Sequence, residues 1–270
     1  MIELIQITQD PDFARRCDAL EGLRLFVDLE SHGKAERQAG RNTFISTHTP
    51  EDVGRVKSVL QRAKLMVRLN PLHRGSADEI ELVLAQGADR LMLPMFTEAW
   101  ELQAFCALVR GRVPVTALLE TAGAFESLPE WIATEGLDEV FVGLNDLHLS
   151  MGLHFMFEPL ALGLLDTVAR LCRVQGLRFG FGGIARLDEG LLPGRDVLAE
   201  HLRLGSQAVI LSRTFHQDGS AGRFEDQVAA LRTAERALLQ RPAEQVQADR
   251  LRIADTIGHI AAGLRRAASA

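Results

Sequence analysis

The sequence has few cysteines, no excess of positive charge and no long apolar run. Its three cysteines, Cys17, Cys106 and Cys172, lie far apart without a C-x-x-C pair, so we expect neither a disulfide framework nor a structural zinc site. Acidic residues outnumber basic ones by 36 to 30 and no basic stripe is visible, which argues against nucleic-acid binding. No window approaches about 18 uncharged apolar residues, and the N-terminal segment lacks the features of a secretory signal. We therefore expect a soluble cytoplasmic protein with no membrane partner.

Short apolar, β-branched segments alternate with amphipathic segments along the chain. The pattern predicts eight strands, at residues 3–8, 25–30, 65–70, 90–95, 115–120, 139–145, 178–182 and 208–212. It predicts helices between them, at residues 11–20, 50–61, 77–86, 98–109, 125–134, 160–175, 197–204 and 224–240. A doubly wound open sheet is the alternative, but no G-x-G-x-x-G follows the first strand and no Walker sequence is present. The predicted fold class is α/β, a single (β/α)₈ TIM barrel over residues 1–241 with an extra C-terminal helix in residues 242–270.

Polar residues stand at the predicted strand ends, where the active site of a (β/α)₈ barrel lies. These residues are Asp28, Glu30, Arg68, Asn70, Glu120, Asn145 and Asp146. An arginine and several carboxylates at one mouth suit a hard divalent cation, Mg²⁺ or Mn²⁺, together with an anionic substrate. Glu120 and Asp146 are about one β/α unit apart in the sequence, so they can share one ion. The alternative is that each acid caps the helix that follows it.

Three ordered motifs resemble the HpcH/HpaI aldolase and citrate lyase β-subunit family. Residues 117–152 read ALLETAGAFESLPEWIATEGLDEVFVGLNDLHLSMG and contain the family's glutamate in an E-T-x-x-A context and its G-x-x-D-L stretch. Residues 68–70 match its R-x-N motif, and LFVDLESHGKAERQ, residues 25–38, is similar to its acid-rich second strand. This resemblance implies a phosphoenolpyruvate/pyruvate-type barrel in which Glu120 and Asp146 bind Mg²⁺ or Mn²⁺. It also implies that Arg68 holds a carboxylate or enolate oxygen of the substrate.

The resemblance further implies an enzyme, a metal-dependent lyase or aldolase. Such an enzyme cleaves or forms a carbon–carbon bond beside the carbonyl of a 2-oxo acid or acyl-CoA-type substrate, through an enolate. The predicted strand ends contain no lysine for a Schiff base, which agrees with a metal as the electrophile. A phosphoenolpyruvate mutase-like reaction shares the fold but not the quoted motifs.

The general base is the open question. In family members with a histidine base, the histidine directly follows the acid pair of strand two, whereas here Ser31 follows Glu30 and the histidine is His32. His48 is a second candidate base, and a surface position is the alternative interpretation of both histidines. Met95 stands where the family commonly has the lysine of an L-P-K sequence. These departures leave open a second class of function, a non-catalytic protein that binds a metal and a carboxylate on the same barrel.

The last two predicted strands are followed by loops of the kind that often bind phosphate in barrels. Residues 180–194 read GFGGIARLDEGLLPG, and Ser212 and Arg213 end strand eight. A glycine-lined turn is also explained by tight backbone geometry alone. With Asn70 and Asn145, Ser212 and Arg213 form the expected substrate-binding set. The expected partner is a small-molecule carboxylate, which can be a coenzyme A thioester, a phosphorylated sugar acid or a plain 2-oxo acid.

The residues after Pro242 exceed what eight β/α units need. Their apolar side chains follow helical spacing, at Ile253, Ile257, Ile260 and Leu264. Each such side chain left in water would forfeit about 1.5–3 kcal/mol. The surplus helix therefore predicts a homo-oligomer with this helix at or near the subunit contact. The alternative is that the helix folds back on its own barrel.

Overall fold

The computed structural model describes residues 1–33, 47–216 and 223–268, apart from the side chain of residue 216. Residues 34–38, the end of the acid-rich segment that resembles the family's second strand, lie outside this part of the chain. The chain divides into two compact units, residues 4–141 and residues 142–270 with residues 1–3. The eight strands pair in sequence order as a closed parallel β-barrel. The predicted α/β barrel is therefore confirmed.

Each predicted strand is present. The strands are β1 (Glu3–Ile7), β2 (Leu23–Asp28), β3 (Lys64–Arg68), β4 (Arg90–Leu93), β5 (Val115–Leu119), β6 (Leu137–Val142), β7 (Arg178–Ile184) and β8 (Ala208–Leu211). The helices that precede β6 are α1 (Pro11–Asp18), α2 (Pro50–Lys57), α3 (Ser76–Ala85), α4 (Ala99–Val109), α5 (Ala122–Glu126) and α6 (Leu128–Trp131). The helices that follow β6 are α7 (Leu144–Ser150), α8 (Glu158–Ala161), α9 (Leu164–Gln175), α10 (Gly194–Leu204), α11 (Phe224–Leu239) and α12 (Ala243–Ala268).

Seven of the eight strands end one to three residues earlier than the sequence predicts, whereas β7 ends two residues later, at Ile184. The sequence pattern places Asn145 and Asp146 at the end of the sixth strand. This prediction is wrong, because β6 ends at Val142 and both residues lie in helix α7. Glu30, Asn70 and Glu120 likewise follow their strands by one or two residues. The apolar runs continue past the last hydrogen-bonded residue, because strands buried on both faces lack the alternation that would mark their ends.

The unit of residues 4–141 has a charged pair in its core. The guanidinium of Arg24 donates two hydrogen bonds to the carboxylate of Glu139, at 2.7 and 2.8 Å, and both residues are buried. Thr116 Oγ1 adds a hydrogen bond to the same carboxylate at 3.2 Å. The charges are therefore paired where water cannot reach them, as buried ionic groups require.

The C-terminal helix α12 packs on its own unit. It contacts helices α8 and α10 and buries Ile253, Ile257 and Ala261. Ile253 and Ile257 are therefore covered by the chain itself, as the alternative to a subunit contact predicts for these two side chains. Leu251 and Leu264 remain exposed on the same helix.

Within the described residues, no helix has the length and apolar character needed to cross a membrane.

Candidate active site

Asp28 and Arg68 are the last residues of two neighbouring parallel strands. The register of β2 and β3 sets Asp28 beside Arg68, so both side chains lie at the same end of the sheet. Arg68 Nε donates to Asp28 Oδ1 at 2.8 Å, and Nη2 donates to Oδ2 at 2.9 Å. Nη2 also lies 3.2 Å from Glu30 Oε2. A planar guanidinium gripped in this way has a fixed orientation, which the ammonium group of a lysine would not have.

This cluster of Asp28, Glu30 and Arg68 is largely removed from water. Asp28 and Glu30 are 5% and 3% exposed. Burial by itself would lower the pKa of Arg68, but the neighbouring carboxylates, Asp28 first among them, raise it well above its usual value. In the part of the chain that the structure describes, Nη1 donates no hydrogen bond. The arginine therefore stays charged and keeps one nitrogen for an anionic ligand.

Glu120 directly follows β5 and is 3% exposed. Its Oε1 accepts a hydrogen bond from the backbone N–H of Met95 at 3.1 Å. The helix that follows is capped by Thr121, whose Oγ1 accepts from Ala124 N at 3.0 Å and donates to the carbonyl of Phe96 at 2.6 Å. The E-T-x-x-A motif thus has a local explanation, because the threonine supplies the cap. Helix capping does not account for Glu120.

Met95 adopts an uncommon backbone conformation. Its φ of 55° lies in the left-handed region, which costs a residue with a Cβ about 1 kcal/mol or more. The position where the family commonly has a lysine therefore serves here through its N–H, which orients Glu120. The side chain of Met95 is half-buried.

His48 contacts the end of β2. Its Nδ1 accepts a hydrogen bond from the backbone N–H of Asp28 at 3.0 Å. This bond uses the acceptor lone pair of the neutral ring, whose proton is then on Nε2. With Nδ1 engaged in this way, the neutral ring of His48 has no second lone pair with which to remove a proton.

Asn70 fixes the segment that carries His32. Its Oδ1 accepts hydrogen bonds from the backbone N–H groups of Ser31 and His32 at 2.9 and 3.0 Å, and from Ser31 Oγ at 3.2 Å. Its Nδ2 donates to Glu79 Oε1 at 2.7 Å. The amide oxygen has only two lone pairs, so these contacts account for its hydrogen-bonding capacity. Asn70 therefore anchors the loop after β2 to the first turn of α3.

Asn145 and Asp146 belong to the other unit, where they form part of the first turn of α7. Both side chains are half-buried, and Gly143 is the N-cap of the helix. The first turn of a helix is a position at which the helix dipole favours an acidic side chain. This position suits both a metal ligand and a residue that only stabilises the helix.

Ser212 and Arg213 lie in the same unit, directly after β8. Ser212 Oγ is 2.9 Å from Thr214 Oγ1, and Arg213 is exposed. The glycines of the preceding loop are explained by close packing, since a Cβ on Gly194 would lie 2.3 Å from the carbonyl oxygen of Ala185. Tight backbone geometry thus accounts for at least part of the glycine-rich segment.

In the described ranges, no group of three or more His, Cys, Asp or Glu side chains is arranged to hold a metal ion. Mg²⁺ does not require such a group, because it keeps several waters and usually binds one or two carboxylates together with its substrate. The buried carboxylate of Glu120, oriented by a backbone N–H, is a donor of the right chemistry. The residues present therefore fit a magnesium or manganese ion that completes its coordination with water and substrate.

Two residues near His32 were not among the predicted site residues. His73 and Glu79 lie after β3, and the rings of His32 and His73 meet edge to face with 4.7 Å between their centres. His73 Nε2 is 3.4 Å from Glu79 Oε2. The one sequence signal was their position, because both follow the R-x-N motif in the loop and helix at the same barrel end.

Comparisons with known proteins identify the family and the fold of the chain. The family model described as HpcH/HpaI aldolase/citrate lyase matches residues 10–162. The chain is similar to the hydroxypyruvate/pyruvate aldolase of Roseovarius nubinhibens, with 25% identity over 215 residues that cover 66% of this chain and 82% of that relative. The fold is similar to an HpcH/HpaI aldolase from Desulfitobacterium hafniense, with a TM-score of 0.61 and 16% identity over 90% of this chain and 94% of that one. An HpcH/HpaI aldolase/citrate lyase family protein from Burkholderia cenocepacia has the same TM-score and identity, over 88% and 93% of the two chains. Because the family model matches more than half of its residues, this chain belongs to the HpcH/HpaI aldolase/citrate lyase family.

Proposed function

We propose that the protein is a divalent-metal-dependent carbon–carbon lyase or aldolase. Its substrate is a 2-oxo acid or an acyl-CoA-type compound, and its intermediate is an enolate. The observation that carries this proposal is the guanidinium of Arg68, which is 15% exposed, is oriented by two carboxylates and keeps Nη1 for an anion. The family membership and the similarity to a hydroxypyruvate/pyruvate aldolase support the same class of reaction.

Arg68 binds the carboxylate of the substrate and, as the reaction proceeds, the developing charge on the enolate oxygen. The ion pairs to Asp28 and Glu30 hold the guanidinium in place before the substrate arrives. Such a group stabilises charge without first having to reorient, which is how electrostatic catalysis lowers a barrier. The paired carboxylates also allow a cation to be buried at this position at all.

Glu120 would supply a carboxylate to a bound metal ion, and the sequence resemblance implies Asp146 as a second ligand. A bound Mg²⁺ or Mn²⁺ ion would polarise the carbonyl oxygen of the substrate as a Lewis acid. The N–H of Met95 keeps the Glu120 carboxylate in one orientation. The contact of Met95 with Glu120 is made by an uncharged N–H, and Arg68 is a cation that interacts electrostatically with the same carboxylate.

His32 is the base that moves the proton. In the cleavage direction it removes the proton of the hydroxyl group whose carbon leaves as the aldehyde, and the electrons of the broken C–C bond form the enolate. The same proton then protonates the enolate carbon. His48 is the weaker candidate, because its Nδ1 lone pair is engaged by the backbone N–H of Asp28.

Proton exchange at the methyl group of pyruvate tests this proposal. In deuterated water with Mg²⁺ or Mn²⁺, the enzyme should replace the methyl protons by deuterium, and proton NMR follows the loss of the signal. Acetyl-coenzyme A is the second probe, for the acyl-CoA class. Exchange should stop on addition of a chelator and in Glu120→Gln. Absence of exchange with both probes would contradict the proposal.

The same experiment separates the alternative function, a non-catalytic protein that binds a metal and a carboxylate. The observation in its favour is that Met95 offers only a backbone N–H where the family commonly has a lysine. Such a protein would bind pyruvate in a calorimetric titration and yet exchange none of its methyl protons.

A further inference from the structure

The ring of His73 is held by both of its nitrogen atoms. Nδ1 accepts a hydrogen bond from the backbone N–H of Gly75 at 3.0 Å, and Nε2 is 3.4 Å from Glu79 Oε2. An acceptor at Nδ1 requires the proton to be on Nε2, where it points to the carboxylate. His73 therefore has no lone pair with which to act as a base, but its ring is fixed in place.

The ring that His73 contacts is that of His32. The two ring centres are 4.7 Å apart and the planes make an angle of 69°, which is the edge-to-face arrangement that aromatic pairs prefer. His32 is exposed and lies in a short turn after β2, where a side chain has several rotamers available. Contact with a fixed ring reduces that choice.

Glu79 connects the two parts of this arrangement. Its Oε1 accepts from Asn70 Nδ2 at 2.7 Å, and Asn70 Oδ1 in turn accepts from the backbone N–H of His32 at 3.0 Å. Its Oε2 faces His73 Nε2. One carboxylate thus orients both the residue that holds the backbone of His32 and the residue that contacts its ring.

Gly75 provides the space for the ring of His73. A Cβ on this glycine would lie 2.9 Å from His73 Cε1 and 3.2 Å from Nδ1. The backbone of Gly75 has a negative φ, so its conformation does not require glycine. An alanine at position 75 would therefore displace the ring while leaving every polar group of the site in the chain.

We propose that His73 is a positioning residue, which sets the orientation of the His32 ring for proton transfer. This role rests on the proposed function, in which His32 is the base. The ring of His73, fixed by Gly75 and Glu79, restricts His32 to the rotamer in which it reaches the substrate. Misplacement of a catalytic group by about 1 Å can cost about 10²-fold in rate.

His73→Ala and Gly75→Ala test the proposal, with Gly263→Ala as the matched control. A Cβ on Gly263 meets no atom within 4 Å, so this alanine should leave kcat and KM unchanged. Both test variants should lower kcat for pyruvate proton exchange by about 10- to 100-fold, with KM within about threefold because Arg68 still binds the carboxylate. Thermal melts identify any variant that does not fold, and Gly75→Ala then remains as the milder change.

Proton NMR of the His32 ring gives a readout that does not depend on activity. The ring of His73 shifts the carbon-bound protons of His32, and this shift should be lost in His73→Ala and altered in Gly75→Ala. Unchanged kcat and unchanged His32 signals in both folded variants would overturn the positioning role. Wild-type protein that exchanges no proton would instead refute the proposed function, while the His32 signals would still decide whether His73 orients that ring.

Discussion

Replacement of Arg68 separates its contribution to stability from its contribution to catalysis. Asp28 and Glu30 are 5% and 3% exposed, and Arg68→Met would remove the guanidinium that contacts both of these buried carboxylates. Loss of one partner from a buried ion pair costs about 3–5 kcal/mol in free energy of unfolding. Arg68→Lys keeps the charge and should cost much less stability. A lysine cannot, however, make the bidentate contact of a guanidinium with a carboxylate. We therefore expect kcat/KM to fall by at least about 10²-fold, which corresponds to about 2.7 kcal/mol.

Two assays measure these effects independently. Urea unfolding followed by circular dichroism gives the free energy of unfolding, and pyruvate proton exchange gives kcat/KM. The double variant Arg68→Met with Asp28→Asn is the control, because it also removes the charge of one of the two carboxylates that Arg68 contacts and should regain part of the lost stability. A lysine variant within threefold of the wild-type kcat/KM would show that Arg68 is only an ion-pair partner. An Arg68→Met variant as stable as wild type would refute the assignment of the cluster as buried and charge-paired.

Three further predictions concern metal binding, the pH dependence of stability and assembly. Glu120→Gln and Asp146→Asn should each abolish Mn²⁺ binding in calorimetry while the melting temperature is retained, and unchanged affinity in either would exclude that residue as a ligand. Burial lowers the pKa of His201 to about 3, so the unfolded chain takes up a proton below about pH 6.5 that the folded chain refuses. The free energy of unfolding should therefore fall as the pH drops from about 6.5 towards 3, by about 2 kcal/mol at pH 5. His201→Gln should remove this loss when unfolding is measured by urea titration at each pH. An equal pH dependence in wild type and variant would contradict the role of His201. Light scattering should detect a homo-oligomer whose mass falls in Leu251→Glu with Leu264→Glu, and a monomeric wild type at micromolar concentration would refute the predicted assembly.

The alternation of strands and helices was readable because each strand is a short buried run between amphipathic segments. The end of β6 was not, because the apolar residues of VFVGL continue past Val142 into helix α7. That helix has seven residues, which is too short for a clear helical period in the sequence. Its N-cap is Gly143, which has no side chain that would mark the start of the helix. The pattern of apolar residues in the sequence thus predicts which segments form strands better than it predicts where those strands end.

The site itself was predictable residue by residue but not contact by contact. Asp28 and Arg68 were expected at neighbouring strand ends, yet their pairing follows from a register that no single-sequence pattern specifies. Asn70 was expected to bind substrate, but its amide oxygen accepts hydrogen bonds from the backbone of Ser31 and His32. This contact depends on how the loop after β2 folds, which the sequence pattern does not specify. The pairing of Arg24 with Glu139 joins residues 115 positions apart and leaves no local signal in the sequence.

The left-handed Met95 offers a spectroscopic consequence. Its backbone N–H contacts Glu120 and its side chain is half-buried, so its methyl group is attached to a residue that directly touches the expected metal ligand. The chain has six methionines, and two others in the strands, Met66 and Met92, are fully buried. Selective ¹³C labelling of methionine methyl groups would therefore give a spectrum with few signals, in which that of Met95 should respond most to a metal ion while those of the core methionines stay in place. This protein thus carries a natural reporter for its own candidate active site, and ligand binding can be followed without an added label.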